Sequence, residues 1–486
     1  SPTTSVVPAQ WKDRPMTATP PPRRRPAAEH GSPAVGRAHD LVPLREATRV
    51  WFTISLQTFG GPAGQIAVMQ RSLVDEHRWI GERRFLHALS YCTLLPGPEA
   101  QQLAIYIGWL LNGTRGGLVA GTLFVLPGVV ALLLLSAIYA AFGETAVVIA
   151  LFTGLAPAVL AIVAQAVRKV ARRALHHPAL VALAVASFLA LAVLDVPFPV
   201  VVAAAAAVGW GIGRVRPAVM AAPAKEDTAD GPAPVISDDA LHRTRPSTRR
   251  AALVLGAGIP LWLAPVGLAA LLTGPESVFT QQGLFFSGTA LVTFGGAYAV
   301  LAYVAQQAVA TYGWLGPGEM VRGLALAETT PGPLIMVVQF VAFLGAFRDP
   351  GTLDPWVAAV LASLLTTWVT FVPCFLFIFL GAPYVERLRG NRSLSAALTG
   401  ITAAVVGVIA NLAVYFAVHT LFVTTTPLAW GPIHLEVPDA GSLQPVAVVI
   451  TLAAMVMVFR LKWSVLRTLG VCAATGLVIG LAGILL

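Results

Sequence analysis

Four short interruptions carry the polar chemistry of this chain. Phe59, Gly60, Gly61 and Pro62 break an apolar run from about Arg49 to Met69, and Phe294, Gly295 and Gly296 break a second run. Pro96, Gly97 and Pro98 open LPGPEAQQLAIYIGW, and Pro331, Gly332 and Pro333 open PGPLIMVVQFVAF. Proline removes a backbone donor, and glycine costs roughly 1 kcal/mol against alanine in a helix interior. A helix restarted after such a break presents amide N–H groups without intrahelical acceptors, together with the positive end of its dipole. Pro98 fits the first residue of a new helix, where its missing N–H would be unpaired anyway. The chemistry on offer is anion binding without a side-chain cation. Gln65, Glu99, Gln101 and Gln102 lie beside the first pair of breaks, Glu328 and Gln339 beside the second, and Gln165 and Asn411 on later segments. Their amides can donate to an oxyanion or tie helices together. Gly60 with Gly64 also fits a small-residue helix contact. Recurrence of two kinds of break at one internal spacing favours binding.

The breaks must be positioned by membrane helices. Of 486 residues, 56% are apolar and 11% charged, whereas a soluble chain carries about 25% charged residues. Runs such as 118–141 and 445–458 reach or approach the length that crosses a bilayer core of about 30 Å. The expected fold class is an all-α polytopic membrane protein of about 13 embedded segments. These lie near 48–70, 85–111, 117–143, 144–168, 179–195, 197–213, 251–273, 280–306, 320–347, 355–382, 394–422, 443–461 and 465–486. Residues 1–43, rich in Pro, Ala and Arg and without an apolar core, read as a disordered cytoplasmic tail. Residues 214–250 read as a hydrophilic cytoplasmic linker.

At an offset of 235, Leu56 coincides with Leu291, Thr58 to Gly61 with Thr293 to Gly296, Trp79 with Trp314, Gly81 with Gly316, and one PGP with the other. Farther on the offset is 246, pairing Pro127 with Pro373, Gly154 with Gly400, and Gln165 with Asn411. The chain therefore divides into a first repeat at 44–213 and a second at 274–486, joined by the linker and a connecting segment at 251–273. An odd number of segments separates the copies, so the second is expected upside down, the inverted-repeat architecture of many secondary transporters.

With the N-terminus inside, the basic loops fall on the cytoplasmic side. The exception is 71–84, which carries Arg71, Arg78, Arg83 and Arg84. It becomes cytoplasmic if 48–70 and 85–111 dip in and return as re-entrant hairpins, which central breaks permit where backbone lines a cavity or is buried in protein. Full crossing and re-entry both stand at this level. The arginines could gather anions at the mouth of the broken segments or snorkel to the interface.

Other function classes find little support. Cys92, Cys374 and Cys472 lie in apolar segments without CxxC or histidine pairing, so neither a disulfide framework nor a metal site is expected. The chain has no HExxH, GxSxG or carboxylate pair at helical spacing in a segment, which argues against an enzyme. The basic balance orients helices, so no nucleic-acid partner is expected. No cofactor is implied.

On LxTFGGP, on 95–128 (LPGPEAQQLAIYIGWLLNGTRGGLVAGTLFVLPG) and on TTPGPLIMVVQFVAFLGAF, the chain resembles the chromate transporter family in its long two-domain form, over 44–486. The resemblance implies thirteen segments in two antiparallel halves and chromate efflux across the bacterial inner membrane, conferring resistance, with sulfate as the close analogue. It carries the substrate site onto Phe59, Gly60, Gly61, Pro62, Pro96, Gly97, Pro98, Glu99, Gln101 and Gln102, and onto Phe294, Gly295, Gly296, Pro331, Gly332 and Pro333. Gln65 joins them by position. The second copy reads FGGAYAV, without proline after the glycines, so a softer kink is expected there. Glu99 would repel an anion if ionised, and is a candidate for a neutral donor or a proton carrier. Its equivalent, Leu334, makes the halves chemically unequal. Candidate partners are chromate and sulfate as cargo, the lipid bilayer, and a second copy of the chain in a homodimer. The alternative reading is a sulfate or other oxyanion permease working inward.

Overall fold

The computed structural model describes residues 41–59, 61–220, 235–236, 247–294, 296–382, 391–431 and 433–485. The tail up to residue 40, Gly60, Gly295 and most of the linker lie outside the described residues. The fold is all-α, as expected. The first break separates α1 (Leu44–Ser55) from α2 (Gly61–Gln70), and the second separates α3 (Glu82–Cys92) from α4 (Glu99–Phe142). Helices α5 (Ala146–Ala174), α6 (Pro178–Ala192) and α7 (Phe198–Val215) follow, then a single turn α8 (Pro217–Met220) and the connecting helix α9 (Thr248–Thr273). The order then recurs as α10 (Val278–Val292), α11 (Ala297–Gln306), α12 (Glu319–Thr329), α13 (Val337–Arg348), α14 (Pro355–Gly381), α15 (Arg392–Leu421), α16 (Pro445–Met455) and α17 (Val465–Leu485).

Among the described residues, seven helices are long and apolar enough to cross a membrane: α4, α5, α7, α9, α14, α15 and α17. The broken segments are different. Helices α1, α2 and α3 have 12, 10 and 11 residues, so none exceeds about 18 Å at 1.5 Å per residue, short of a bilayer core. The segment expected at 85–111 is divided between α3 and the start of α4, and a non-helical break at Asn112 and Gly113 (φ +62°) within α4 separates it from the helix expected at 117–143.

The repetition extends to single backbone angles. Positive φ recurs at the offset of 235 in Gly61 and Gly296 (+73° and +104°), Arg78 and Gly313 (+51° and +65°), and Gly97 and Gly332 (+120° and +107°). A π-helical turn follows α2 at Arg71–Glu76 and α11 at Gln307–Thr311. After α15 the offset grows to 267, at which Asp195 and Lys462 share a φ near +52°. The extra residues form an antiparallel hairpin, Thr425–Trp430 with Ile433–Pro438, closed at Gly431 (φ +59°). No expectation from the sequence covers this hairpin, which lies between the segments at 394–422 and 443–461.

The halves interleave. Helix α5 packs on α16 and α17, and α15 packs on α6 and α7. Both crossings are glycine contacts. A Cβ on Gly400 would lie 2.7 Å from Gly209 Cα, and one on Gly476 would lie 2.8 Å from Gly154 Cα. Gly154 and Gly400 are the pair matched by the sequence repeat. Backbone has nowhere to move at such a crossing, and overpacking typically costs about 1–3 kcal/mol. Gly400→Leu is therefore expected to lower the detergent melting temperature sharply. Gly256→Leu, in open space on α9, should melt near wild type.

Two contacts locate the arginine-bearing loop. Val235 and Ile236 of the linker lie against it: Val235 N–H donates to Arg78 O (3.1 Å), Ile236 N–H to Trp79 O (3.0 Å), and Gly81 N–H to Ile236 O (3.3 Å). Ile236 is buried, so this part of the linker belongs to the fold. The loop and these linker residues thus meet at one end of the molecule. Residues 41–42, assigned to the tail, are also anchored to the fold, with Leu41 N–H on Leu111 O (3.1 Å) and Asn112 Nδ2 donating to Val42 O (2.6 Å).

Candidate functional site

The four breaks are joined by a reciprocal pair of main-chain hydrogen bonds. Gly97 N–H donates to Thr293 O at 2.8 Å, and Gly332 N–H donates to Thr58 O at 3.0 Å. Thr58 and Thr293 are equivalents, as are Gly97 and Gly332, so exchanging the halves turns one bond into the other. Each PGP break is thereby pinned to the residue before the FGG break of the other half. Equivalent groups also back the two glycines. A Cβ on Gly97 would lie 2.9 Å from both Cys374 Sγ and Gln102 Nε2, and one on Gly332 would lie 3.3 Å from Gly128 Cα.

These bonds engage the Gly97 and Gly332 amides within the protein. The open donors come next in the chain. Pro98 is the residue preceding α4 (φ −66°, ψ 106°), one position earlier in the helix than the sequence suggested, and no side chain caps this end. The first backbone bond runs from Gln102 N–H to Pro98 O at 3.1 Å, which leaves the amides of Glu99, Ala100 and Gln101 without intrahelical acceptors. Pro333 and Gly296 precede their helical turns in the same way, also without side-chain caps. Gly296, at φ +104°, makes the second FGG a complete break, not the softer kink expected from the missing proline.

Phe59 and Phe294 are half-buried, and each donates its N–H two residues back, to Gln57 O and Val292 O, both at 3.0 Å. Pro62 is the second residue of α2, and Pro331 is half-buried ahead of Gly332. Gly64 serves the turn: a Cβ there would run into Phe59 O. The amide side chains divide by role. Gln65 is buried and donates to Gly332 O, tying the first FGG helix to the second PGP. Gln102 donates to Pro96 O at 2.6 Å, and its Oε1 has no partner. Gln339 is a tie, donating to Val129 O (3.0 Å) and accepting from Thr367 Oγ1 (3.5 Å). Gln165 and Asn411 are half-buried, away from these bonds, with no side-chain hydrogen bond among the described residues. Gln101 stands apart. It is fully buried on the first turn of α4, and neither its Nε2 nor its Oε1 has a partner. Native proteins leave few such groups.

The acids also differ. Glu99 is half-buried as the first residue of α4. Glu328 is 1% exposed, accepts a short hydrogen bond from the Tyr298 hydroxyl, and leaves Oε2 without a partner. The Tyr298 hydroxyl lies 3.7 Å from where a Gly61 Cβ would stand, which brings it to the first FGG break. Sequence reasoning missed Tyr298. Its signal was the departure of FGGAYAV from FGGP, which puts tyrosine where the first half has Ala63.

A polar latch joins the halves away from the breaks. Arg348 holds Glu319 bidentately, both N···O distances being 2.7 Å, and also donates to Trp314 O. Tyr139 donates to Glu319 Oε1 at 3.1 Å and accepts from Arg322 Nη1 at 3.0 Å. Arg348→Met would leave a mostly buried carboxylate short of donors, so a loss of about 1–3 kcal/mol is expected. Thermal melts of Arg348→Met and Arg348→Lys would check this, with lysine restoring only part because it lacks the fork.

Comparison with known proteins agrees with this picture. The chromate transporter family profile matches residues 45–210 and 280–480, which are the two halves found here. The chain is 32% identical to the chromate transport protein of Pseudomonas aeruginosa over 73% of its own length and 76% of that protein. It is 27% identical to a probable chromate transport protein of Synechococcus elongatus over 79% of this chain and 87% of the relative. For the chromate transport protein of Cupriavidus metallidurans, identity is 26% over 81% and 88%. No solved structure matches the chain. Across both halves, with FGG and PGP breaks in each, the chain belongs to the chromate transporter family.

Proposed function

We propose that the protein exports chromate across the bacterial inner membrane, holding the dianion at the junction of the four breaks between two inverted repeats, with the N-terminus and linker cytoplasmic. The observation that carries this is the reciprocal pinning of Gly97 to Thr293 and of Gly332 to Thr58, with the orphaned Gln101 amide on the helical turn that follows Gly97. Inversion is supported by the ends at which each hairpin closes. The first repeat's hairpin loop meets the linker at Arg78–Gly81. The second repeat's helices close at the Glu319–Arg348 latch beside Tyr139, on the far end of α4.

The donor set selects the cargo class. Chromate and sulfate are mostly unprotonated near neutral pH and accept hydrogen bonds, so backbone N–H groups and an amide suit both. A protonated phosphate would leave its own donor unpaired. Direction follows from charge. Moving a dianion out of an inside-negative cell at 100 mV releases about 4.6 kcal/mol, enough for an outward gradient of about three orders of magnitude. Inward sulfate transport would need several co-transported cations. Proteoliposomes with a clamped potential test the proposal. Chromate flux driven towards the positive compartment and inhibited by sulfate is expected. Flux independent of potential, or accumulation only with an imposed cation gradient, would overturn it.

A further inference from the structure

The two halves share a backbone at the turn after their first broken segment, yet different side chains line it. In the second half, Leu284, Phe285, Val292, Tyr303 and Tyr312 occupy the equivalent positions, with Phe285 packed on Tyr303 and on Tyr312 at centroid distances of 5.4 Å. In the first half, the equivalents are Arg49, Val50, Gln57, Val68 and His77. They line a cavity of about 290 Å³ together with Arg71, Ser72 and Glu76. Val50, Val68 and His77 stand where the second half has three aromatic rings, and Arg49 and Gln57 stand where it has Leu284 and Val292.

Its chemistry is that of an oxyanion cradle. Arg71 Nη2 donates to Gln57 Oε1 at 2.9 Å, which leaves the Gln57 Nε2 donors free to turn inward. Arg71 pairs with Glu76 at 3.4 Å, and both remain more than half exposed. Arg49 forms no ion pair among the described residues, so the cavity keeps an uncompensated positive charge. The hollow is open to solvent and has room for a tetrahedral dianion. Gln57 immediately precedes Thr58, whose carbonyl pins the Gly332 break, so the cradle adjoins the transport junction. It also sits with the Arg78–Gly81 loop at the linker's end of the molecule.

We infer that the cavity lined by Arg49, Gln57, Arg71 and His77 is a capture site that holds a tetrahedral oxyanion dianion before it reaches the breaks. The inference rests on the transport reading for its role, but binding can be read without transport. Purified protein in phospholipid-free detergent is titrated with radiolabelled sulfate, comparing wild type with Arg49→Gln and Arg71→Gln. Both residues are exposed, so the variants should fold, and melting curves verify this. Neutralising either arginine is expected to weaken a sulfate site by roughly tenfold, the equivalent of about 1.4 kcal/mol. In zwitterionic proteoliposomes, the same variants should raise half-saturating chromate without lowering the maximal rate. Unchanged sulfate binding in both variants, or no binding by wild type, would overturn the capture site whatever the flux shows. An effect that appears only when anionic lipid is added would mean that the cradle takes a lipid phosphate, and would also overturn it. Wild-type protein that binds sulfate at the arginines but moves no chromate would instead refute the transport reading and leave the site standing.

Discussion

Gly97→Leu is expected to abolish chromate transport while leaving the two halves folded. At φ +120° Gly97 adopts a conformation that a residue with a Cβ rarely enters, a strain of about 1–3 kcal/mol. The side chain would also meet Cys374 Sγ and Gln102 Nε2, each 2.9 Å from the Cβ position. Relief requires the break to move, and that movement lengthens the bond from Gly97 N–H to Thr293 O and swings the first turn of α4. Displacement of a binding constellation by about 1 Å can cost roughly a hundredfold in rate. Gly332→Leu should behave alike, because it carries the reciprocal bond. The check is chromate efflux from cells at matched membrane levels of protein. Full exclusion of chromate by both variants would separate the breaks from transport.

Gln101→Leu should produce the opposite dissociation, with stability kept and function lost. Replacing a buried amide that lacks partners by an apolar side chain of similar size removes an unmet desolvation cost, so the melting temperature should hold or rise slightly. If that amide is a donor to cargo, half-saturating chromate should rise at least about tenfold, corresponding to one charge-assisted hydrogen bond of roughly 1.5–3 kcal/mol. Gln339→Leu supplies the contrast. Its amide ties α13 to Val129 and Thr367, so that change should cost stability and leave the affinity for chromate near wild type. Equal behaviour of the two variants would remove the distinction between a waiting donor and a structural tie.

Much of this was legible in the sequence because breaks, repeats and apolar length are local signals. Proline and glycine state where a helix must stop. The offsets of 235 and 246 carried through to matched φ angles at Gly61 and Gly296 and to the glycine crossings at Gly154 and Gly400. What could not be read was which donors remain open, since that depends on contacts between residues more than 190 positions apart. Nothing local indicates that Gly97 N–H is spent on Thr293 while the Gln101 amide is left over. The loop at 71–84 is open in the sequence for a similar reason: charge counts give two topologies, and its contact with Val235 and Ile236 is long-range. Tyr298 escapes because departure from a motif reads as a weaker break, whereas its hydroxyl donates to Glu328 and lies beside Gly61.

The asymmetry between the halves now has a physical outline. Pinning bonds and helix crossings obey the exchange of halves, so they belong to the scaffold. The Tyr298–Glu328 pair, the Glu319 latch and the arginine-lined hollow do not obey it. A transporter built from two like halves needs such differences to make its two sides respond differently to one cargo.

The most direct measurement is a density map of the protein with chromate bound, using the anomalous signal of chromium to place the metal atom. The account predicts a peak between the breaks, within hydrogen-bonding reach of the Gln101 side chain and the amides of Glu99 and Ala100. Chromium located elsewhere in a fully loaded sample, with the start of α4 packed dry against its neighbours, would contradict it.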